Sequence, residues 1–155
     1  YLASNRPEWN QKQRALLARL SEGAIGRARS FDLAAYTAAR GHALAILTAA
    51  VRGSDHSELF KITETYRAGA EGRDKTEKLL RAIYSLLQDL MFVVSGSPEL
   101  ICNTDIQSEL NTLAASVDFA WISQASDSLA EVERGMRRNL LRSLSLDAFA
   151  AQLER

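Results

Sequence analysis

The sequence has little cysteine, proline and histidine: one, two and two residues among 155. Cys102, as the sole cysteine, excludes an internal disulfide and a zinc site built from several cysteines, and it is typical of a reducing compartment. His42 and His56 lie far apart in the sequence with no cysteine beside either, so no metal site is predicted. We therefore expect a cytoplasmic protein without a metal cofactor.

Long apolar runs and an excess of charge of one sign are also missing. The longest apolar runs, such as residues 90–94, are far shorter than the roughly 20 residues of a membrane-spanning helix, and residues 1–10 lack the apolar core of a signal peptide. The 19 basic side chains balance 19 acidic ones, so no overall field attracts nucleic acid or anionic membrane. The chain begins with Tyr1 and not with Met, which leads us to expect a fragment of a longer protein.

What the sequence does contain favours helix throughout. Alanine, leucine, arginine and glutamate are abundant, and no alternating strand pattern occurs. With 46% hydrophobic residues, a chain of this length can bury a substantial core. We expect an all-α bundle of about seven or eight helices. The predicted helices cover residues 10–20, 25–34, 36–52, 55–68, 76–94, 106–116, 118–139 and 146–153.

The predicted helix over residues 76–94 is apolar on most of its circumference. Such a helix is normally buried at the centre of a fold, so we expect it to form the core. Residues 69–73 contain two glycines and predict a loop, and the capping pattern from Asp74 to Glu77 predicts the helix start. Gly96 and Pro98 predict its end.

A helix–glycine–helix corner is the most informative local pattern. Gly23 and Gly26 interrupt one predicted helix, and Arg27 stands in the first turn of the next. Glycine allows positive φ, and a helix N-terminus beside a guanidinium suits an anion such as phosphate. The same pattern is also typical of a plain structural corner, and that alternative stays open.

This corner resembles the sensor-2 region in the lid of AAA+ clamp-loader subunits. The chain after it resembles the helical C-terminal collar domain of bacterial DNA polymerase III delta-prime subunits. The second resemblance rests on residues 83–105, where an apolar helix with an acidic residue is followed by a small-residue turn and by Asn103-Thr104-Asp105. Residues 138–153 are similar to the closing turn and last helix of the family, although Asn139-Leu-Leu-Arg142 replaces the usual Asn-x-Asn-Pro.

The resemblance implies that residues 1–34 are the end of the lid and residues 35–155 are the collar. Collar domains of such subunits pack in a ring that holds the ATPase modules while the sliding clamp is loaded. The implied partners are the delta and gamma/tau subunits, with DNA contacted only indirectly and no membrane. The implied fragment is not an enzyme and has no cofactor, and no phosphate-loop sequence occurs.

The same resemblance implies a role for the corner. In ATP-binding relatives the arginine that matches Arg27, beside Gly23 and Gly26, contacts nucleotide, whereas in delta-prime subunits it is often a structural remnant. An alternative within the family is a gamma/tau-type subunit, in which Arg27 would be a working nucleotide sensor.

Arginines gather on one face near the end of the helix predicted over residues 118–139. One interpretation is a basic stripe that binds DNA phosphates or an acidic partner subunit. The other is a solvated face whose charge is balanced by Glu131 and Glu133. The second interpretation is favoured. The arginines concerned are Arg134, Arg137, Arg138 and, if the helix continues, Arg142.

Trp121 is a further interface candidate because aromatic residues are enriched at the centres of interfaces. Packing inside its own domain is an equally good interpretation. We find no catalytic constellation, and Cys102 is expected to be a buried structural residue. A function of another class, a ligand-binding helical regulatory domain, would require a roomy apolar pocket with a few inward polar groups.

Overall fold

A computed structural model describes Leu2 and residues 9–53, 57–66, 69–137 and 142–153. Within these ranges the chain forms eight α-helices and no strand, which confirms the all-α prediction. Two short 3₁₀ turns, Pro98–Leu100 and Thr104–Ile106, follow the longest helix. The helices are α1 (Gln11–Leu20), α2 (Ile25–Ser30), α3 (Leu33–Arg52), α4 (Ser57–Glu64), α5 (Gly69–Val94), α6 (Gln107–Ala114), α7 (Phe119–Arg137) and α8 (Arg142–Gln152).

Helices α1 and α3 begin at side-chain caps, whereas α2 has none. Asn10 and Gln13 form a reciprocal capping box at the start of α1, with both hydrogen bonds at 2.9 Å. Asp32 caps α3 by accepting a hydrogen bond from the backbone N–H of Ala35 at 2.9 Å. The helix predicted to reach residue 34 therefore ends at Ser30, and the boundary expected between residues 34 and 35 lies within the first turn of α3.

The end of α3 agrees with the prediction, and α4 is only partly open to comparison. Gly53 has φ 62° and donates its N–H to the carbonyl of Ala49, as a left-handed helix terminus requires. The expected start of α4 at Asp55 lies outside the described residues. The helix ends at Glu64, earlier than the expected end at Ala68, and Thr65 and Tyr66 form a turn.

The predicted loop over residues 69–73 is wrong, because these residues form the first turns of α5. Asp74 consequently lies inside the helix and pairs with Lys78 at 2.8 Å, and it does not cap the helix start. Ala70 and Glu71 are strong helix formers, while each glycine costs only about 1 kcal/mol in a helix. Gly72 is buried, so tertiary packing offsets that cost.

The prediction that the apolar helix forms the core is confirmed. Helices α3, α6 and α7 pack against α5, and α8 closes the bundle against α3, α4 and α7. The apolar side chains of α5 that are completely shielded from solvent are Leu79, Ala82, Ile83, Leu86 and Leu90.

A few buried residues near the N-terminus lie outside this continuous core. Leu16, Leu17, Ala28 and Leu33 are buried, but among the described residues they do not belong to the apolar cluster centred on α5. Helix α1 instead packs against α2 and against the 3₁₀ turn Thr104–Ile106. The N-terminal helices therefore contact the edge of the bundle.

The C-terminal helices begin close to the predicted positions. Asp118 caps α7 by accepting a hydrogen bond from the N–H of Trp121 at 2.8 Å, as expected. The predicted end of α7 at residue 139 lies outside the described residues, and α8 begins at Arg142, before the predicted residue 146.

Leu86→Ala should lower the free energy of unfolding by about 2–5 kcal/mol, because it leaves a cavity at the centre of the bundle. Urea unfolding followed by circular dichroism measures the loss. Gln88→Ala, an exposed change on the same helix, should stay within about 0.5 kcal/mol of wild type. Equal midpoints for the two variants would show that α5 is not the core.

Candidate functional site

A carboxylate buried at the centre of the molecule organises the segment that follows α5. Asp89 is completely buried on α5. Its oxygens accept hydrogen bonds from the backbone N–H of Cys102 at 2.7 Å, from the N–H of Asn103 at 2.9 Å and from the Asn103 side-chain amide at 2.8 Å. A buried charge is tolerated only when such donors surround it. The three bonds thus hold the chain after α5 against that helix.

Asn103 extends this arrangement to α3. Its side-chain oxygen accepts hydrogen bonds from the Tyr36 hydroxyl at 2.8 Å and from Arg40 Nη1 at 2.9 Å. Its amide nitrogen also donates to the Ser85 hydroxyl at 3.0 Å. Asn103 therefore uses both ends of its amide to connect α3 with α5.

Arg40 completes the arrangement with a bidentate ion pair. Its two terminal nitrogens donate to the carboxylate of Asp105 at 2.7 and 2.6 Å, and only 5% of its side chain is exposed. The guanidinium also lies over the ring of Tyr36, 5.8 Å from its centroid. We call the connected set Tyr36, Arg40, Ser85, Asp89, Asn103 and Asp105 the polar cluster.

Burial and nearby charge shift the pKa values of two members of this cluster, Asp105 and Tyr36. Partial burial of Asp105 tends to raise its pKa, but the hydrogen bonds and positive charge of Arg40 outweigh burial and hold that pKa below its usual value. Burial raises the pKa of Tyr36, so its hydroxyl keeps the proton that it donates. The cluster is thus a set of matched donors and acceptors that joins three parts of the chain.

Sequence reasoning identified only some members of the cluster. Asn103, Asp105 and the acidic residue of the apolar helix, Asp89, belong to the stretch on which the family resemblance rests. Arg40 and Tyr36 were missed. The signal that could have found Arg40 is its position between Ala39 and Ala43 on a face that the fold buries, since a charged residue there needs a partner.

The glycine corner has the predicted shape at one glycine only. Gly23 has φ 75° and forms the turn, together with Glu22 at φ 50°. Gly26 lies inside α2, where an added Cβ would meet no atom within 4 Å, so the local backbone does not require glycine. Arg27 is exposed and pairs with Glu22 at 3.1 Å. Nucleotide contact by Arg27 stays a prediction.

The structure places Trp121 inside the bundle. Its side chain is 4% exposed, and its indole N–H donates to the carbonyl of Leu153 at 2.9 Å. Of the two interpretations, packing within its own domain is the one observed in this chain. The apolar spacing of Phe119, Ile122 and Leu129 predicts that Phe119 is buried with the rest of the helix. That prediction is wrong, because Phe119 is the first residue of α7 and is 64% exposed.

The arginine face is described at one position. Arg134 is exposed and lies 3.7 Å from Glu131, in line with the interpretation of a solvated, balanced face. The side chain of Arg137 and the whole of Arg138 lie outside the described residues. Their contacts with DNA or with a partner stay a prediction.

The remaining candidate residues have structural contacts. His42 Nδ1 lies 2.6 Å from the hydroxyl of Tyr66, whose pKa burial raises to about 12. The thiol of Cys102 is partly buried, and burial raises its pKa, which disfavours the reactive thiolate. His56 lies outside the described residues.

The described residues provide neither a metal site nor a membrane-spanning helix. No group of three or more His, Cys, Asp or Glu side chains there is arranged to hold a metal ion. None of the described helices combines the length and the apolar character needed to cross a bilayer.

An open groove of about 970 Å³ lies between the first halves of α1 and α3. Lys12, Arg29, Asp32 and Asp105 line it beside the aromatic rings of Trp9 and Phe31. A pocket for a small apolar ligand is normally enclosed, with only a few polar groups. This groove does not have that character.

Large apolar side chains are exposed at several places on the described surface. Val94 and Leu100 flank the turn that follows α5, and they are 37% and 53% exposed. The others are Ile25, Phe60 and Phe119.

Comparison of the chain with protein-family models, with curated proteins and with solved structures finds no match.

Asp89→Asn should lower the free energy of unfolding by at least about 2 kcal/mol, because an amide cannot accept all the hydrogen bonds that the carboxylate receives. Urea unfolding measures the loss. Asp74→Asn is the matched control, since Asp74 lies on the same helix in an exposed pair and its loss should cost under about 1 kcal/mol. Similar losses in the two variants would contradict the central role of Asp89.

The Arg40–Asp105 ion pair should make the free energy of unfolding depend on pH in the acidic range. Because the pKa of Asp105 is lowered by folding, its ionised form stabilises the fold above the unfolded pKa of about 3.9. That contribution is lost as the pH falls through the lower folded pKa. The difference in unfolding free energy between wild type and Asp105→Asn should therefore be constant above about pH 5 and shrink below about pH 4. Urea titrations at a series of pH values measure this difference in unfolding free energy. If the difference vanished already near pH 6, a group other than Asp105 would be responsible for the pH dependence.

Proposed function

We propose that this chain is a protein-assembly module of DNA replication, namely the end of the AAA+ lid (residues 1–34) and the collar domain (residues 35–155) of a delta-prime-type clamp-loader subunit. It acts by packing against delta and gamma/tau subunits in the cytoplasm. It carries the ATP-driven movement of the upstream domains, has no cofactor or chemistry of its own, and contacts DNA only through the assembly.

The observation that carries this proposal is the composition of the polar cluster. The resemblance rests on residues 83–105, and the polar residues that characterise that stretch are Asp89, Asn103 and Asp105. In the fold all three belong to one hydrogen-bonded set that includes Arg40. These three residues thus share one structural role in this chain, and that shared role is what supports the proposal.

The arrangement also supports a module that acts by packing. The cluster holds α3 and α5 in one geometry, and rigid elements are what present a defined surface to a partner. Exposed apolar side chains such as Leu100 and Phe119 supply contact area of the kind found in interfaces. Arg27 forms an exposed pair with Glu22, and because such pairs contribute little, the gamma/tau form stays an alternative.

Assembly can be tested by size-exclusion chromatography with light scattering. The 155-residue chain is run alone and then with delta and gamma/tau subunits from the same organism. We expect a defined heteromer of higher mass in the mixture, because the collar supplies the main contacts between subunits. Formation of the delta–gamma/tau complex itself is the positive control. A chain that elutes unchanged while that complex forms would refute the proposal.

A substitution on the exposed surface tests the contact. Phe119→Ser should weaken co-assembly at least about tenfold, since removing a large aromatic from an interface often costs more than 1 kcal/mol. Arg134→Ala is the comparison variant, because Arg134 belongs to the balanced face and its loss should leave assembly unchanged. Circular dichroism checks that both variants fold. If Arg134→Ala alone weakened assembly, the basic face would be the contact surface.

A further inference from the structure

We propose that α1 and α2 form an arm that opens as a unit from the bundle, and that Arg19 is one of the contacts that hold the arm closed. The proposal concerns the fold itself and holds whether or not the chain assembles with clamp-loader subunits. Three features of the molecule support it: separate packing, a short extended linker and a polar contact at the edge.

The arm has its own buried residues. Leu16, Leu17 and Ala28 are buried without belonging to the continuous core around α5. Segments that share few buried contacts with the main core open at lower free energy than that core does. The arm can therefore separate from the bundle while α3, α5 and α7 stay packed.

The linker and the groove allow such a movement. Phe31 and Asp32 have extended backbones and are the only residues between α2 and α3. Asp32 caps α3 through Ala35, so α3 keeps its N-terminal cap when the arm moves. The open groove of about 970 Å³ already separates the first half of α1 from the first half of α3.

Arg19 lies at the other end of α1, where the arm meets the bundle. Its Nη1 atom donates to the carbonyl of Ile101 at 2.7 Å and to the carbonyl of Glu99 at 3.2 Å. The next residues, Cys102 and Asn103, are fixed by Asp89. Arg19 therefore holds the arm to a segment that the polar cluster keeps in place.

This contact is strong enough to hold the arm and accessible enough to release it. Hydrogen bonds from a charged donor are stronger than neutral ones. Arg19 is nevertheless exposed to solvent, so water can replace the two carbonyls when the arm opens. The hydrogen bonds of Arg19 thus hold the arm when it is closed and break when it opens; we call this contact the latch.

Native-state hydrogen exchange followed by mass spectrometry tests the arm in the wild-type chain. Amides of α1 and α2 should exchange through one common opening at lower free energy than amides of α5, with a smaller dependence on urea. Exchange of α1, α2 and α5 through the same global opening would refute the arm. Because this measurement needs no variant, it decides the question even if a substituted chain fails to fold.

The latch is tested with Arg19→Ala. Amides of α1 and α2 should exchange at least about tenfold faster than in wild type, as expected for loss of charged hydrogen bonds, while amides of α5 stay unchanged. Arg14→Ala is the matched control, because Arg14 lies on the same helix and its Nε donates to the carbonyl of Asn10 at 3.5 Å. Equal acceleration of all helices, or none in α1, would overturn the role of Arg19.

Discussion

The carboxylate of Asp89 is the constraint on which the rest of the arrangement depends. A charge buried this deeply costs several kcal/mol unless donors surround it, and the apolar neighbours on α5 offer none. The chain after α5 must therefore return and present the N–H groups of Cys102 and Asn103. Asn103 then contacts Tyr36 and Arg40, so one requirement at Asp89 fixes the position of α3 as well.

This dependence divides the molecule into a bundle and its edge. In the bundle, apolar packing around α5 and the polar cluster act on the same helices, so both resist any change in their relative orientation. At the edge, α1 and α2 reach the bundle through Arg19 and through packing on the turn Thr104–Ile106. A rigid bundle that presents exposed apolar side chains, with an arm attached by a polar contact, suits a module whose proposed task is to pack with partners and to carry movement.

Particular residues show where local patterns were sufficient. The cap at Asp118 and the terminus at Gly53 depend on groups within a few residues, so a local signal was enough to find them. Residues 69–73 show the limit: two glycines in a short stretch indicated a loop, but these residues form the first turns of α5, where Gly72 is buried. Phe119 follows the apolar period of α7, yet it is the first residue of that helix and its side chain is 64% exposed.

The sequence by itself determined the all-α class, the central apolar helix and most helix termini, because helical period and capping are interactions between near neighbours. It also marked Asn103 and Asp105 through a resemblance. Only the tertiary structure decided that Arg40 pairs with Asp105, that Trp121 is buried inside the bundle, and that Arg27 forms an ion pair with Glu22. The first two depend on residues more than 30 positions apart, and the third on how the chain turns at Gly23. Side chains brought together in these ways carry no periodic signal along the chain.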